Sequence, residues 1–200
     1  MSSNITKHNY KITRNLREKQ HGHIANLIWL TGLSGSGKST IANLIEIELN
    51  KRGFSTYILD GDNIRMGINK DLTFNSEDRS ENIRRIAEIS NLMLDAGILT
   101  IASFISPYNK DRDNVKEIVG AENYIEIYVN SSLKECERRD VKGLYQRARK
   151  GLIKNMTGIS SPYEIPENPD FEVKTDVMNI EDSVQSVLKF LSKKLNFKYD

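Results

Sequence analysis

The sequence predicts an α/β fold in which a mainly parallel central sheet lies between two layers of helices. Short apolar runs that end in Gly, Ser or Asp alternate with segments whose apolar residues recur at helical spacing, the pattern of βα units around a parallel sheet. The run 98–105 is apolar on both faces, as expected of a central parallel strand. The glycine-rich segment 32–37 lies between the first apolar run and the first helical stripe. Together these observations favour a three-layer α/β/α architecture.

The individual elements follow from the spacing of apolar residues. Strands are predicted at 27–30, 56–59, 98–105 and 124–129, and helices at 41–49, 83–94, 133–139 and 180–195. Glu181 and Asp182 fall in the first turn of the last helix, where negative charge suits the helix dipole. Three of the four prolines lie within 160–170, so we expect an extended connection there.

Length and charge limit the organisation and the partners of the chain. With 200 residues, of which 38% are hydrophobic, one domain at 27–200 is expected to follow a polar arm at 1–26. The formal net charge is +2, from 29 basic and 27 acidic side chains. Neither nucleic acid nor a membrane surface is therefore the expected partner.

The compartment is inferred from cysteine usage. Cys136 is the only cysteine and has no partner for a disulfide within the chain, which favours the reduced cytoplasm. No apolar run approaches the roughly 20 residues that span a bilayer. Because the first residues are poor in acids, a short organelle transit segment is the alternative interpretation of the arm.

The segment from Gly32 to Ser39 matches the phosphate-binding pattern G-x-x-x-x-G-K-[ST]. It stands between a predicted strand and a predicted helix, which is the context that the P-loop (phosphate-binding loop) mechanism requires and that an ordinary glycine-rich turn lacks. Its amides and the helix N-terminus should hold the phosphates of ATP, while Lys38 reaches the β and γ phosphates and Ser39 ligates Mg²⁺. The residues expected to bind ATP are Gly32, Leu33, Ser34, Gly35, Ser36, Gly37, Lys38, Ser39 and Thr40.

Acidic and hydroxyl side chains follow two other predicted strands. Asp60 and Asp62 come directly after the second strand in an acidic turn, and Ser106 follows the strand at 98–105. Ligands of open α/β sheets bind at these strand ends. A carboxylate there can orient an attacking hydroxyl, accept its proton or hold Mg²⁺ through water. We expect Asp60 to be a metal ligand, but a solvated Asp-Gly-Asp turn is the alternative.

Basic residues are concentrated in two places. Arg65, Arg79, Arg84 and Arg85 follow the acidic turn and would suit an anionic acceptor, although Arg84 and Arg85 could equally pair with glutamates on a solvated helix face. The stretch 142–154 contains Lys142, Arg147, Arg149, Lys150 and Lys154 without an acid. We interpret 142–158 as a lid that closes over phosphates, with a solvated surface helix as the alternative.

With these residues in place, the chain resembles the adenylylsulfate kinases, which make 3′-phosphoadenylyl sulfate from ATP and adenylyl sulfate. The resemblance runs from about residue 28 to residue 176. It rests on blocks in the same order: WLTGLSGSGKST at 29–40, LDGDNIR at 59–65, DRSENIRR at 78–85, SFISPY at 103–108, CERRDVKGLY at 136–145 and TGI at 157–159 leading to PYE at 162–164.

The resemblance implies a P-loop NTPase-type fold, a role in sulfate assimilation and a homodimer. It also implies an adenylyl sulfate site formed by Asp62, Arg65, Phe74, Arg79, Asn82, Ile105, Ser106, Lys142, Asn155 and Met156. Lys38, Asp60, Asp62 and Ser106 are the implied catalytic residues. In the family the serine that matches Ser106 is described as a phosphoserine intermediate, which would make the chain a phosphoprotein. In-line transfer with Mg²⁺ needs no such covalent step.

Two positions depart from the family pattern. Thr73 stands where members usually have Gly, and Met156 stands where they usually have an aromatic residue. Because Met also packs against a base edge, we expect altered affinity more than lost activity. Two other functions fit a P-loop chain: a different small-molecule kinase, or a nucleotide-dependent switch without an acceptor.

Overall fold

The central sheet of the computed structural model has five strands, and each neighbouring pair runs parallel. The structure describes residue 6 and residues 8–199; residues 1–5 and 7 of the expected arm, and residue 200, lie outside the described residues. The strands are β1 Leu27–Thr31, β2 Thr56–Asp60, β3 Leu99–Ser103, β4 Tyr124–Asn130 and β5 Phe171–Lys174, in the spatial order β2-β3-β1-β4-β5.

Helices fill most of the connections between these strands. They are α1 Arg14–His21, α2 Lys38–Lys51, α3 Gly61–Met66, α4 Ser76–Asp95, α5 Asn109–Val119, α6 Leu133–Arg139, α7 Leu144–Arg149 and α8 Ile180–Lys194. The bounds of α6 match the prediction, and those of α8 differ from it by one residue. Asn75 and Asn179 cap α4 and α8 by accepting hydrogen bonds from amides of the first turn.

Two hydrophobic cores, one on each face of the sheet, confirm the three-layer architecture. Successive residues of a strand point to opposite faces, and in β1 Ile28 and Leu30 pack with α2 and α8 while Leu27 and Trp29 pack with α4 and α5. All of β1 is buried. A strand covered on both faces must be apolar throughout, which accounts for the continuous apolar run in the sequence.

The strand register brings the polar strand ends to one edge of the sheet. Leu30 of β1 lies beside Ser103 of β3, and Ser103 lies beside Asp60 of β2. The segments that follow β1, β2 and β3 therefore leave the sheet side by side. This placement is what allows the phosphate loop and the acidic segment to face a common space.

Several elements differ from the sequence-based expectations. The acidic segment is not a turn: Asp60 caps α3, because its Oδ1 accepts a hydrogen bond of 3.0 Å from the Asp62 amide. The expected polar arm contains α1, which is fastened to the domain where Arg14 donates to the Ala25 carbonyl at 2.6 Å. Helix α5 and strand β5 had no counterpart in the predicted elements. No helix in the described part of the chain has the length and apolar character needed to cross a membrane.

Candidate functional site

One large cavity, with a volume of about 1220 Å³, lies at the carboxyl ends of β1, β2 and β3. It brings together nearly all of the residues that the sequence nominates. Those that line it are Ser34, Gly35, Ser36, Gly37, Lys38, Ser39, Thr40, Asp60, Asp62, Arg65, Phe74, Arg79, Asn82, Ile105, Ser106, Lys142, Asn155 and Met156. Gly32 and Leu33 begin the phosphate loop but do not line the cavity.

Side chains from three distant elements hold the carbonyl oxygens of the phosphate loop. The Tyr145 hydroxyl donates to the Ser34 carbonyl at 2.9 Å, and the Thr175 hydroxyl donates to the Ser36 carbonyl at 2.8 Å. Arg139 donates to the carbonyl of the intervening Gly35 at 3.2 Å. With the carbonyl groups fixed, the free amides at the start of α2 remain available to an anion.

The beginning of the loop requires glycine. A Cβ atom at Gly32 would lie 2.4 Å from the Val129 carbonyl oxygen and 2.9 Å from the Ser36 hydroxyl. Gly37 caps α2 with a φ of 102°, in the left-handed region that favours glycine. The pattern of glycines thus follows from close backbone approach at one position and from backbone conformation at the other.

Lys38 is a buried cation at the end of this loop. Its Nζ donates to the Leu33 carbonyl at 2.8 Å. Burial lowers the pKa of the Lys38 ammonium from 10.5 to about 8; the charge of Lys142 acts in the same direction, and the charges of Asp60 and Asp62 oppose it. The carboxylates near Lys38 thus do not offset the cost of burying its charge, and a bound triphosphate would supply further negative charge.

Hydroxyl and carboxylate oxygens meet beside Lys38. Ser39 Oγ donates to Asp60 Oδ2 at 2.7 Å and lies 3.3 Å from Ser103 Oγ. Asp60 is occupied on both oxygens, since its other oxygen caps α3. Asp62 instead lines the cavity, and Lys142 of the expected lid pairs with its carboxylate.

The far end of the cavity carries cations around an aromatic ring. The guanidinium of Arg65 lies 4.4 Å from the centre of the Phe74 ring, and that of Arg79 lies 6.0 Å from it. Burial, and then the charge of Arg79, lowers the pKa of Arg65. Asn82 is buried nearby and accepts a hydrogen bond from Asn69. This end of the cavity is suited to an anion attached to a flat ring.

The loop after β3 forms the floor between the two ends. Ser106 has a φ of 39°, unusual for a residue other than glycine, and is only 2% exposed. Its Oγ accepts from the Trp29 indole at 3.1 Å and donates to Thr31 Oγ1 at 2.9 Å. Thr31 Oγ1 in turn donates to the Ile105 carbonyl at 2.8 Å. The Ser106 hydroxyl is therefore engaged by the protein itself.

The sequence that forms this cavity was compared with models of known protein families. A family model described as adenylylsulphate kinase matches residues 24–174. The chain belongs to the adenylylsulfate kinase family.

Individual relatives agree with the family match. An adenylyl-sulfate kinase of Acaryochloris marina is 51% identical over 193 residues, which covers 96% of this chain and 94% of that protein. The solved structure of the Mycobacterium tuberculosis APS (adenylyl sulfate) kinase in complex with AMPPNP and APS has a TM-score of 0.81 and 42% identity, and covers 85% of this chain and 99% of that one. A hexameric APS kinase from Thiobacillus denitrificans has a TM-score of 0.67 and 25% identity, and covers 92% of this chain and 31% of that one.

The basic residues divide between the cavity and the outer surface. Lys142, Arg147 and Lys154 of this adenylylsulfate kinase family member line the cavity. Arg149 instead pairs with Glu137 at 2.6 Å. Arg84 pairs with Glu81, and Arg85 with Glu81 and Asp71. For Arg84 and Arg85 the structure supports the interpretation of a charged helix face.

Some residues of the site were not identified as functional from the sequence. Arg138, Arg139 and Thr175 line the cavity, and two of them hold the phosphate loop. The two arginines lie within the CERRDVKGLY block at 136–145. The match of this block to the family could therefore have identified them as candidate site residues. Thr175 follows β5, a strand that was not predicted, and nothing in its local sequence indicates a contact with the phosphate loop.

The lowered pKa of Lys38 predicts how nucleotide affinity depends on pH. The protonated form binds the triphosphate and predominates below about pH 8, so the Kd for a non-hydrolysable ATP analogue should rise by up to about tenfold per pH unit above pH 8. Titration calorimetry between about pH 7.5 and pH 9.5 avoids the range in which phosphate groups ionise. In the Lys38→Met variant binding should be weaker at every pH, and this rise of the Kd should vanish. A rise of equal steepness in that variant would contradict the assignment to Lys38.

Proposed function

We propose that this chain transfers the γ-phosphate of ATP to the 3′-hydroxyl of adenylyl sulfate, yielding 3′-phosphoadenylyl sulfate and ADP in sulfate assimilation. The observation that carries the proposal is the single cavity with two unlike ends. One end is a phosphate loop with a buried lysine, and the other is a pair of arginines around an aromatic ring. A nucleotide switch has no use for the second end, because it has no acceptor to bind.

The acceptor end suits the chemical groups of adenylyl sulfate. Guanidinium groups match the oxygens of a phosphosulfate in charge and geometry, so Arg65 and Arg79 are assigned to that group. Phe74 has an exposed face and is assigned to stack on adenine. The remaining residues assigned to the acceptor site are Asp62, Asn82, Ile105, Ser106, Lys142, Asn155 and Met156.

Met156 and Thr73 have structural roles that do not depend on the acceptor. Met156 packs in a small core with Tyr145, Ala148 and Cys136, so it joins the proposed lid segment 142–158 to α6. The Thr73 amide donates to Asp78 Oδ2 at 2.8 Å, and its hydroxyl donates to the same oxygen, so Thr73 helps to order the start of α4. Because both residues are accommodated by the fold, we expect the two departures from the family pattern to alter the affinity for adenylyl sulfate and to leave its binding site intact.

Mg²⁺ is assigned to Ser39 and Asp60. Their oxygens lie 2.7 Å apart beside the phosphate loop, and oxygen is the ligand atom that Mg²⁺ prefers. Among the described residues no three His, Cys, Asp or Glu side chains converge to hold a metal, which fits an ion held mainly by phosphate oxygens and water. When bound, Mg²⁺ supplies charge neutralisation on the β and γ phosphates.

The two aspartates receive different roles from their contacts. Both oxygens of Asp60 are occupied, by Ser39 and by the amide that it caps, so Asp60 is assigned to the metal. Asp62 lines the cavity, and its only salt bridge among the described residues is with Lys142 of the expected lid. Asp62 is therefore assigned to orient the acceptor hydroxyl and to receive its proton.

Ser106 is assigned to acceptor positioning within a direct, in-line transfer. Its buried hydroxyl makes two protein hydrogen bonds, and the proton that it donates to Thr31 would have to leave before the oxygen could attack a phosphorus atom. Direct transfer needs no phosphoserine intermediate. The closing lid brings Lys142 and Arg147 to the transferred group, beside Lys38, and excludes the water that would otherwise hydrolyse ATP.

A homodimer in the cytoplasm is the proposed working state. Cys136 is free and buried, which suits a reducing compartment. The proposed reaction also consumes ATP, which is available in the cytoplasm. One structural relative is a hexamer, so assembly occurs among similar chains. Light scattering of the purified chain measures its mass in solution and so tests the dimer.

A coupled ADP-release assay tests the proposed reaction. ADP release should depend on adenylyl sulfate, and the Lys38→Ala variant should lose at least about 100-fold in turnover because the phosphate charge is left unmatched. Arg149→Ala is the matched control, since this basic residue pairs with Glu137 outside the cavity. ADP release that ignores adenylyl sulfate but responds to another nucleotide or small alcohol would favour a different small-molecule kinase.

The division of roles between the aspartates predicts different kinetic defects. Asp62→Asn should lower kcat by about 100-fold or more while the KM for ATP stays nearly constant, because proton transfer is lost. Asp60→Asn should instead raise the Mg²⁺ concentration needed for half-maximal rate. Asp71→Asn is the control, since that carboxylate pairs with Arg85 away from the cavity. The same Mg²⁺ dependence in the Asp60 and Asp62 variants would contradict the division.

A further inference from the structure

Arg112 is a buried charge that the proposed reaction does not use directly. It lies in α5, is 3% exposed and does not line the cavity. Its Nε pairs with Glu126 of β4 at 3.1 Å. An ion pair with one member so deeply buried is costly to desolvate unless its remaining donors are also satisfied. The contacts of those remaining donors therefore indicate what the pair does.

The remaining donors of Arg112 reach the floor of the acceptor site. One terminal nitrogen donates to the Ser106 carbonyl at 2.5 Å. The other donates to the Glu164 carbonyl at 2.7 Å and to Asn109 Oδ1. A single planar guanidinium thus joins α5 and β4 to the Ser106 loop and to the extended segment that contains Glu164.

The extended segment returns to the same loop from the other side. The Glu164 amide donates to the Pro107 carbonyl at 2.8 Å. Tyr163 lies with its ring centre 5.9 Å from the Arg112 guanidinium carbon, and its hydroxyl is 3.0 Å from Thr31 Oγ1. Because Thr31 gives its proton to the Ile105 carbonyl, Tyr163 is the donor in this bond. Ser106 is consequently held through both its carbonyl and its hydroxyl.

This double restraint has a structural reason. The positive φ of Ser106 is a conformation that a residue with a Cβ avoids unless the surroundings impose it. Ile105, Ser106 and Pro107 line the cavity between its phosphate and acceptor ends. If the loop relaxed, the acceptor floor would move while the phosphate loop, held by other residues, would stay in place.

We propose that Arg112, paired with Glu126, is a positioning residue that holds the 105–107 loop in the conformation needed to place the acceptor for phosphoryl transfer. The inference rests on the proposed function for its kinetic consequences. Arg112 does not line the cavity and so should contact neither substrate. Its substitution should therefore change the kinetics with adenylyl sulfate and not those with ATP. Displacement of a bound reactant by about 1 Å can cost about 100-fold in rate.

The test compares Arg112→Lys, which keeps the charge but loses the planar fork, with Arg14→Lys. Arg14 is the matched control, because it also pairs with a glutamate and donates to a carbonyl and to an asparagine, but outside the cavity. Arg112→Lys should lower kcat/KM for adenylyl sulfate by about 10- to 100-fold, while the KM for ATP changes by less than about twofold. Arg14→Lys should leave both parameters near their original values.

The only tryptophan provides a readout that needs no catalysis. Trp29 donates to Ser106 Oγ, so its emission should shift in Arg112→Lys and stay unchanged in Arg14→Lys. If Arg112→Lys does not fold, Glu126→Gln replaces it and should give the same pattern more weakly. Equal effects on both substrates, kinetics no different from Arg14→Lys, or an unshifted Trp29 emission would overturn the inference. If ADP release by the wild-type chain did not depend on adenylyl sulfate, the proposed function would be refuted. The Trp29 emission would then still show whether Arg112 holds the 105–107 loop.

Discussion

The conformation of the phosphate loop depends on side chains that donate hydrogen bonds to its carbonyl oxygens. Tyr145 from α7, Arg139 from α6 and Thr175, which follows β5, each donate a hydrogen bond to one loop carbonyl. These elements lie more than a hundred residues beyond the loop in the sequence. The anion site at the start of α2 is therefore a product of the whole fold, although its local sequence is sufficient to recognise it.

The order of the parallel strands explains how two substrates share one cavity. Because β1, β3 and β2 are adjacent, the phosphate loop, the Ser106 loop and the Asp60 segment leave the sheet side by side. The donor and acceptor ends are nevertheless supported by separate sets of residues. This separation underlies the proposal that Arg112 can affect acceptor placement without disturbing the nucleotide.

The sequence predicted the features that depend on local pattern, and missed those that depend on distant contacts. Residues 32–40, the core strands and helix α6 carry strong local signals of glycine spacing, apolar runs or helical periodicity. Strand β5 is short and only one of its four residues is buried, so it has no distinct apolar pattern. Helix α5 is rich in charged residues, which obscures its apolar periodicity. The sequence Asp60-Gly61-Asp62 is typical of a turn, and only the hydrogen bond by which Asp60 caps α3 shows that a helix begins there. The roles of Thr175 and Arg112 arise from tertiary contacts, which a single sequence does not show.

A crystal structure with a non-hydrolysable ATP analogue, Mg²⁺ and adenylyl sulfate tests the central claim most directly. The account predicts the triphosphate on the amides of residues 34–40 and the phosphosulfate between Arg65 and Arg79. It also predicts the 3′-oxygen about 3 to 3.5 Å from the γ-phosphorus, in line with the bond to be broken. A triphosphate bound away from the loop, or adenylyl sulfate bound outside the cavity, would contradict it.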